Sequence, residues 1–94
     1  MIVVRNCFVA KPGNAGKLAA MLKEAVGVAQ LPKARVLTDL TGDFNRVVME
    51  FEAEDLADFE ARLKDYHTNE KFREKMRGYT DLWVMGTREL LQIA

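Results

Sequence analysis

The segment Arg46-Val-Val-Met-Glu-Phe-Glu alternates with period two, placing Val47, Met49 and Phe51 on one face and Arg46, Val48, Glu50 and Glu52 on the other. Asp55 follows as a helix cap. Leu56, Phe59, Leu63 and Tyr66 then recur at spacings of three, four and three, one apolar stripe of a helix. His67-Thr68-Asn69 gathers three weak helix formers and predicts a break, after which Asn69 caps a further short helix carrying Phe72 and Met76. Gly78 predicts its end. A strand with one apolar face, leading into a helix with one apolar stripe, has to close upon itself.

The rest of the chain supplies that closure. Ile2 to Ala10 reads as a first strand, with Ile2, Val4, Phe8 and Ala10 sharing a face with Asn6, and Val3, Cys7 and Val9 sharing the other with Arg5. Lys11-Pro12-Gly13 breaks it, and Asn14 caps a helix whose stripe is Leu18, Met21, Leu22, Ala25, Val26 and Ala29. That helix ends around Gly27 to Gln30, ahead of Pro32. Ala34 to Leu40 forms a second strand, joined through Thr41-Gly-Asp-Phe-Asn45 to the Arg46 strand. Leu82 to Val84 and Gly86 to Ile93 form the last strand, with a bulge expected around Gly86.

The order is β-α-β-β-α-β. Right-handed crossovers then place each helix between parallel strands that have another strand between them. The compact solution is a ferredoxin-like α+β domain, a four-stranded antiparallel sheet with both helices on one face, filling residues 1–94 as a single domain.

Composition narrows the function classes. Fourteen basic residues balance fourteen acidic ones, so no global field draws nucleic acid or an anionic membrane. The single cysteine, Cys7, cannot form an internal disulfide, which fits a reducing compartment. Met1 leads into Ile2-Val3-Val4 without a basic region or cleavage site, and no apolar run approaches bilayer-spanning length; a cytoplasmic protein is expected. RNA-recognition domains share the β-α-β-β-α-β order but need stacking aromatics, glycine and basic residues on the third strand. Arg46 to Phe51 offers one aromatic, on the helix-covered face, and no glycine. No cofactor motif and no set of metal ligands at coordinating spacing is present, so neither is expected.

The sheet face without helices carries Val3, Cys7, Val9 and Val48 among Arg5, Arg46 and Glu50. In water this would be a larger apolar patch than small monomers usually tolerate. Burial in a twofold contact is the simplest remedy, so a homodimer packed sheet to sheet is expected, with Arg5 and Glu50 pairing across neighbouring strands.

This layout, the Lys11-Pro12-Gly13 turn and the closing Gly86-Thr87-Arg88-Glu89-Leu90-Leu91 strand together resemble the dimeric α+β barrel superfamily, and within it NIPSNAP-like and antibiotic-biosynthesis-monooxygenase-like small proteins. The resemblance implies dimerisation through the sheets and a cavity between sheet and helices. Some members oxidise aromatic polyketides without a cofactor, some degrade haem, and many have no known activity. Haem-degrading members also carry an asparagine on the first strand, as Asn6 does here. Their tryptophan on the third strand corresponds to Phe51, and their histidine would fall near Lys75 or Met76, so two of the three residues are missing.

Asn6 is the leading polar candidate, mid-strand among apolar neighbours; its ordinary role would be a hydrogen bond to a helix end or a core water. His67 is the only histidine and adjoins Tyr66 at the helix break, where a general base toward a ligand competes with a plain capping or surface role. Trp83 offers the floor of an aromatic pocket with Phe51, Phe59 and Phe72 as walls, against the commoner role of aromatic residues in core or dimer packing. Phe8 and Met49 complete the expected ligand-binding set of Asn6, Phe8, Met49, Phe51, Phe72 and Trp83. Cys7 lacks an activating neighbour and reads as a core thiol. The function expected is binding of a small apolar or aromatic ligand between sheet and helices, with cofactor-independent oxygenation implied by the resemblance. The alternative is a non-catalytic dimerisation or stress-response module whose core is filled, with Met21, Met49 and Met76 available to plug gaps.

Overall fold

The computed structural model spans Met1–Ala94. Strand β1 (Ile2–Ala10) is followed by helix α1 (Ala15–Ala29), strands β2 (Arg35–Thr38) and β3 (Arg46–Ala53), helices α2 (Leu56–Thr68) and α3 (Glu70–Lys75), a 3₁₀ turn (Tyr79–Leu82) and strand β4 (Trp83–Gln92). The strands form one sheet in the order β2-β3-β1-β4, with every neighbouring pair antiparallel. Each crossover therefore skips one strand, as the ferredoxin-like arrangement requires.

Register fixes the two faces. Val4 pairs with Phe51, Asn6 with Met49 and Phe8 with Val47. All but Phe8, which is half-buried, are buried beneath the helices with Leu18, Leu22 and Ala25 of α1 and Phe59 and Tyr66 of α2. This core has 15 apolar members. Helix ends follow local chemistry. Asp55 Oδ1 accepts from Asp58 N at 2.8 Å at the start of α2. The expected break is real: Asn69 leaves helical geometry, with ψ 115°, and its Oδ1 accepts from Phe72 N at 3.1 Å to cap α3. Gly78 then turns the chain at φ 81°, a left-handed conformation that favours glycine. Lys75 Nζ lies 3.3 Å from Glu24 Oε2 and ties α3 to α1.

The outer face holds Arg5 opposite Glu50 and Arg35 opposite the same residue on the other side. Arg5 Nε donates to Glu50 Oε2 at 2.7 Å, and Arg35 Nε donates to Glu50 Oε1 at 2.8 Å. One carboxylate thus sits clamped between two guanidinium groups, and it is only 5% exposed although no helix covers it. Leu37, Met85 and Leu91 stand exposed on that face.

Two boundaries differ from the sequence pattern. Strand β2 ends at Thr38 instead of running to Leu40, because Asp39 Oδ1 turns to accept from Arg46 N at 2.9 Å and closes the loop to β3. In β4 the irregularity lies at Val84, not at Gly86. Val9 pairs with Met85 while Ala10 pairs with Trp83, so one extra residue is accommodated there, and Leu82 belongs to the 3₁₀ turn. That insertion moves Trp83 and Met85 to opposite faces, where strict alternation would have kept them together.

Candidate functional site

A cleft of about 510 Å³ opens between the sheet and the helices. Its floor is Asn6 and Phe8 of β1, Met49 of β3, and Gly86 and Arg88 of β4. Tyr66 and His67 at the end of α2 form one wall. Phe72, Arg73 and Met76 from α3 and the residue beyond it form another, with Tyr79 and Trp83 closing the end.

The break at Asn69 makes this space. A continuous helix would run on across the sheet, whereas the capped restart redirects the chain and brings Phe72 against Tyr66, ring centroids 4.7 Å apart. Tyr66 also meets His67 edge to face at 4.8 Å. The second aromatic group is Phe8 with Trp83 at 5.4 Å and Tyr79 at 6.4 Å. The extra residue at Val84 delivers Trp83 to this group. Gly86 allows the close packing, because a Cβ there would meet Trp83 Cζ3 at 3.3 Å and Phe8 Cδ1 at 3.4 Å.

The polar centre is a pair. Arg88 Nε donates to Asn6 Oδ1 at 2.8 Å, and the guanidinium carbon of Arg88 stands 5.6 Å over the Phe59 ring. Asn6 is 5% exposed, so this bond satisfies an acceptor that would otherwise be costly to bury. Burial pushes the Tyr66 phenol above its usual value, although the nearby Arg88 charge opposes the shift. The phenol therefore remains protonated at neutral pH, able to donate and unsuited to accept a proton as a base. The Trp83 indole N–H is buried without an acceptor from the protein.

Of the residues singled out from sequence, Asn6, Phe8, Met49, Tyr66, His67, Phe72 and Trp83 are brought together around this cleft. Phe51 is not. It lies fully buried in the core, two residues beyond Met49 on β3, where α2 covers it and Phe59 packs at 6.4 Å. Phe59 likewise stays behind the cleft, beneath Arg88. Sequence reasoning missed Arg88, Arg73 and Tyr79. Arg88 carried a usable signal, since pairing β4 to β1 places it across from Asn6. Cys7 is on the outer face, its Sγ 3.7 Å from Glu89 Oε1. No three His, Cys, Asp or Glu side chains gather in a metal-binding group, and no helix is long and apolar enough to cross a membrane.

The fold recurs in solved structures. An uncharacterised NIPSNAP domain protein from Burkholderia xenovorans superposes with a TM-score of 0.86 at 15% identity, over 100% of this chain and 95% of that one. The fold is that of the NIPSNAP-domain proteins. A second B. xenovorans protein, described as NIPSNAP-like, gives 0.85 at 21% identity over 99% of this chain and 84% of its own. An antibiotic biosynthesis monooxygenase shares the fold at 0.76 and 18% identity, covering 100% of this chain and 99% of that one. No protein-family model matches the chain, and no curated protein matches it in sequence.

Proposed function

We propose that this NIPSNAP-fold chain works as a cytoplasmic homodimer, joined sheet to sheet, with each protomer holding a small aromatic molecule in the cleft between sheet and helices. The observation that carries this reading is the cleft itself: about 510 Å³, walled by two aromatic groups and centred on the Arg88–Asn6 pair. Ligand sites combine apolar walls with a few convergent polar groups in this way. Met49 is buried and Met21 and Met76 are half-buried, yet the cleft stays open, which favours a ligand over the alternative of a module with a filled core. The dimer is supported by the outer face, where Leu37, Met85 and Leu91 are 40%, 60% and 39% exposed around the Glu50 clamp.

Oxygenation of the bound ring without a cofactor is the activity we assign, by analogy with the monooxygenase that shares the fold. In it dioxygen is the oxidant: a ring CH2 beside a carbonyl gives a proton to His67, the resulting carbanion adds O2, and loss of water leaves a ketone, while Asn6, Arg88 and the protonated Tyr66 hold the neighbouring carbonyl oxygen. His67 is exposed at the cleft wall, so the proton has a route to water. Native mass spectrometry of freshly purified protein tests the reading. A dimer carrying additional non-covalent mass is the expected result. A monomer mass would remove the sheet-to-sheet contact, and a ligand-free dimer that takes up neither added 2-naphthalenemethanol nor added 2-naphthoate would remove the cleft as a binding site.

A further inference from the structure

We infer that the ligand of this cleft is an aromatic acid, held by its carboxylate on Arg88 with Arg73 as a second cation. The inference rests on the cleft being a binding site and adds the charge of its occupant. The chain is neutral overall, with fourteen residues of each sign, yet no carboxylate lines the cleft while two arginines do. The positive character is therefore local. None of the five ion pairs in the molecule includes Arg73 or Arg88, whereas Arg5, Arg35 and Arg62 are all paired.

Arg88 is also held in position for such a ligand. Its Nε is committed to Asn6 Oδ1 at 2.8 Å, and its guanidinium lies over the Phe59 ring. Both terminal nitrogens are without a side-chain partner. They form the two-pronged donor that matches a carboxylate. Because Asn6 Oδ1 accepts from Arg88, the asparagine amide nitrogen is the end left to donate. The cleft thus presents two guanidinium groups and the asparagine amide as donors and no carboxylate as a competing acceptor. A donor-rich, cationic cleft with aromatic walls calls for an aromatic ring bearing anionic oxygens. A neutral aromatic fills the walls but leaves the fork of Arg88 to water.

Trp83 is the sole tryptophan, so its single indole N–H resonance in a proton–nitrogen correlation spectrum reports on the cleft alone. The probes are 2-naphthoate and its neutral counterpart 2-naphthalenemethanol, titrated into the full chain and into Arg88→Gln and Arg73→Gln. The expected result is that both probes move the resonance, naphthoate with a Kd at least about tenfold lower, the scale of one charge-assisted bidentate contact. Arg88→Gln should bring the ratio of the two Kd values toward one, with Arg73→Gln lowering it less. Equal affinities in the parent protein would overturn the acid preference while leaving the cleft reading intact. Movement by neither probe would overturn both. A ratio unchanged in both variants would overturn the assignment to the arginines. Arg73 sits on an exposed helix position, so that variant and the parent ratio decide the question even where Arg88→Gln fails to fold.

Discussion

Replacing Glu50 with glutamine removes the charge from the outer-face clamp while preserving its shape. Glu50 accepts from Arg5 at 2.7 Å and from Arg35 at 2.8 Å, and its side chain is 6% exposed. Charge-assisted bonds of this kind contribute about 1.5–3 kcal/mol each when shielded. The arginine side chains are 37% and 65% exposed, so solvent screening reduces each bond to about 1 kcal/mol. Glu50→Gln should then cost about 2 kcal/mol, with Arg5 and Arg35 left as like charges on either side. For a chain of 94 residues this corresponds to a fall in Tm of about 10 °C, read by circular dichroism at fixed protomer concentration. The pH dependence gives an independent check. Burial pushes the Glu50 carboxyl up, but the hydrogen bonds and charges of Arg35 and Arg5 outweigh it and hold the carboxyl below the usual range. A carboxyl with a lowered folded value stabilises above its unfolded value of about 4.3, and that stability is lost as the pH falls through the folded value. The parent protein should therefore exceed Glu50→Gln by its full margin at about pH 7 and lose that margin below about pH 4. A Tm difference under about 2 °C, or one that stays the same down to about pH 3, would refute the clamp as a stabilising element.

Three further outcomes follow from the cleft. Asn69→Ala removes the side-chain cap on α3 and should cost about 1 kcal/mol, seen as a Tm lower by about 5 °C, together with weaker uptake of 2-naphthoate as Phe72 and Arg73 lose their support. Tyr66 should titrate above the usual tyrosine range in a spectrophotometric titration of Tyr79→Phe, and its contribution to stability, full at lower pH, should fade as the pH rises through that value; a single transition within the usual tyrosine range would contradict it. Gly86→Ala brings a methyl within 3.3 Å of the Trp83 ring and 3.4 Å of Phe8, so these two cleft-lining rings must give by a few tenths of an ångström. The indole resonance should move without any ligand, and the Kd for both naphthalene probes should rise several-fold; unchanged affinity would show that these two rings do not bound the ligand.

Much of this architecture was legible because each local pattern agreed with the global one. The period-two run from Arg46 set β3 and its covered face, and the alternation in β1 placed Asn6 inside and Arg5 opposite Glu50. The weak helix formers at His67-Thr68-Asn69 marked the break that opens the cleft. The site was less legible, and the causes are specific. An extra residue at Val84 reverses the parity of β4, so period-two reasoning could not say that Trp83 faces in while Met85 faces out. Phe51 matched the pattern of a pocket aromatic, but its distance along the sheet put it beneath α2, a question of helix placement that no spacing rule answers. Arg35 joined Arg5 on Glu50 because β2 and β3 share a register that a short, exposed strand does not declare in sequence.

The break at Asn69 has a dynamic meaning as well as a geometric one. Helix α3 has six residues, far fewer than an isolated helix needs to persist in water, so it stands through its cap, the Phe72 contact with Tyr66 and the Lys75–Glu24 pair. Such a segment opens locally at a free energy well below that of unfolding the domain. Across the cleft, Asn6 and Phe8 belong to β1, which is hydrogen-bonded to strands on both sides and opens only with the whole sheet. For the ligand proposed above, the cleft would thus pair one stiff wall, suited to fixing the position of an oxygen, with one softer wall through which the molecule would enter and leave.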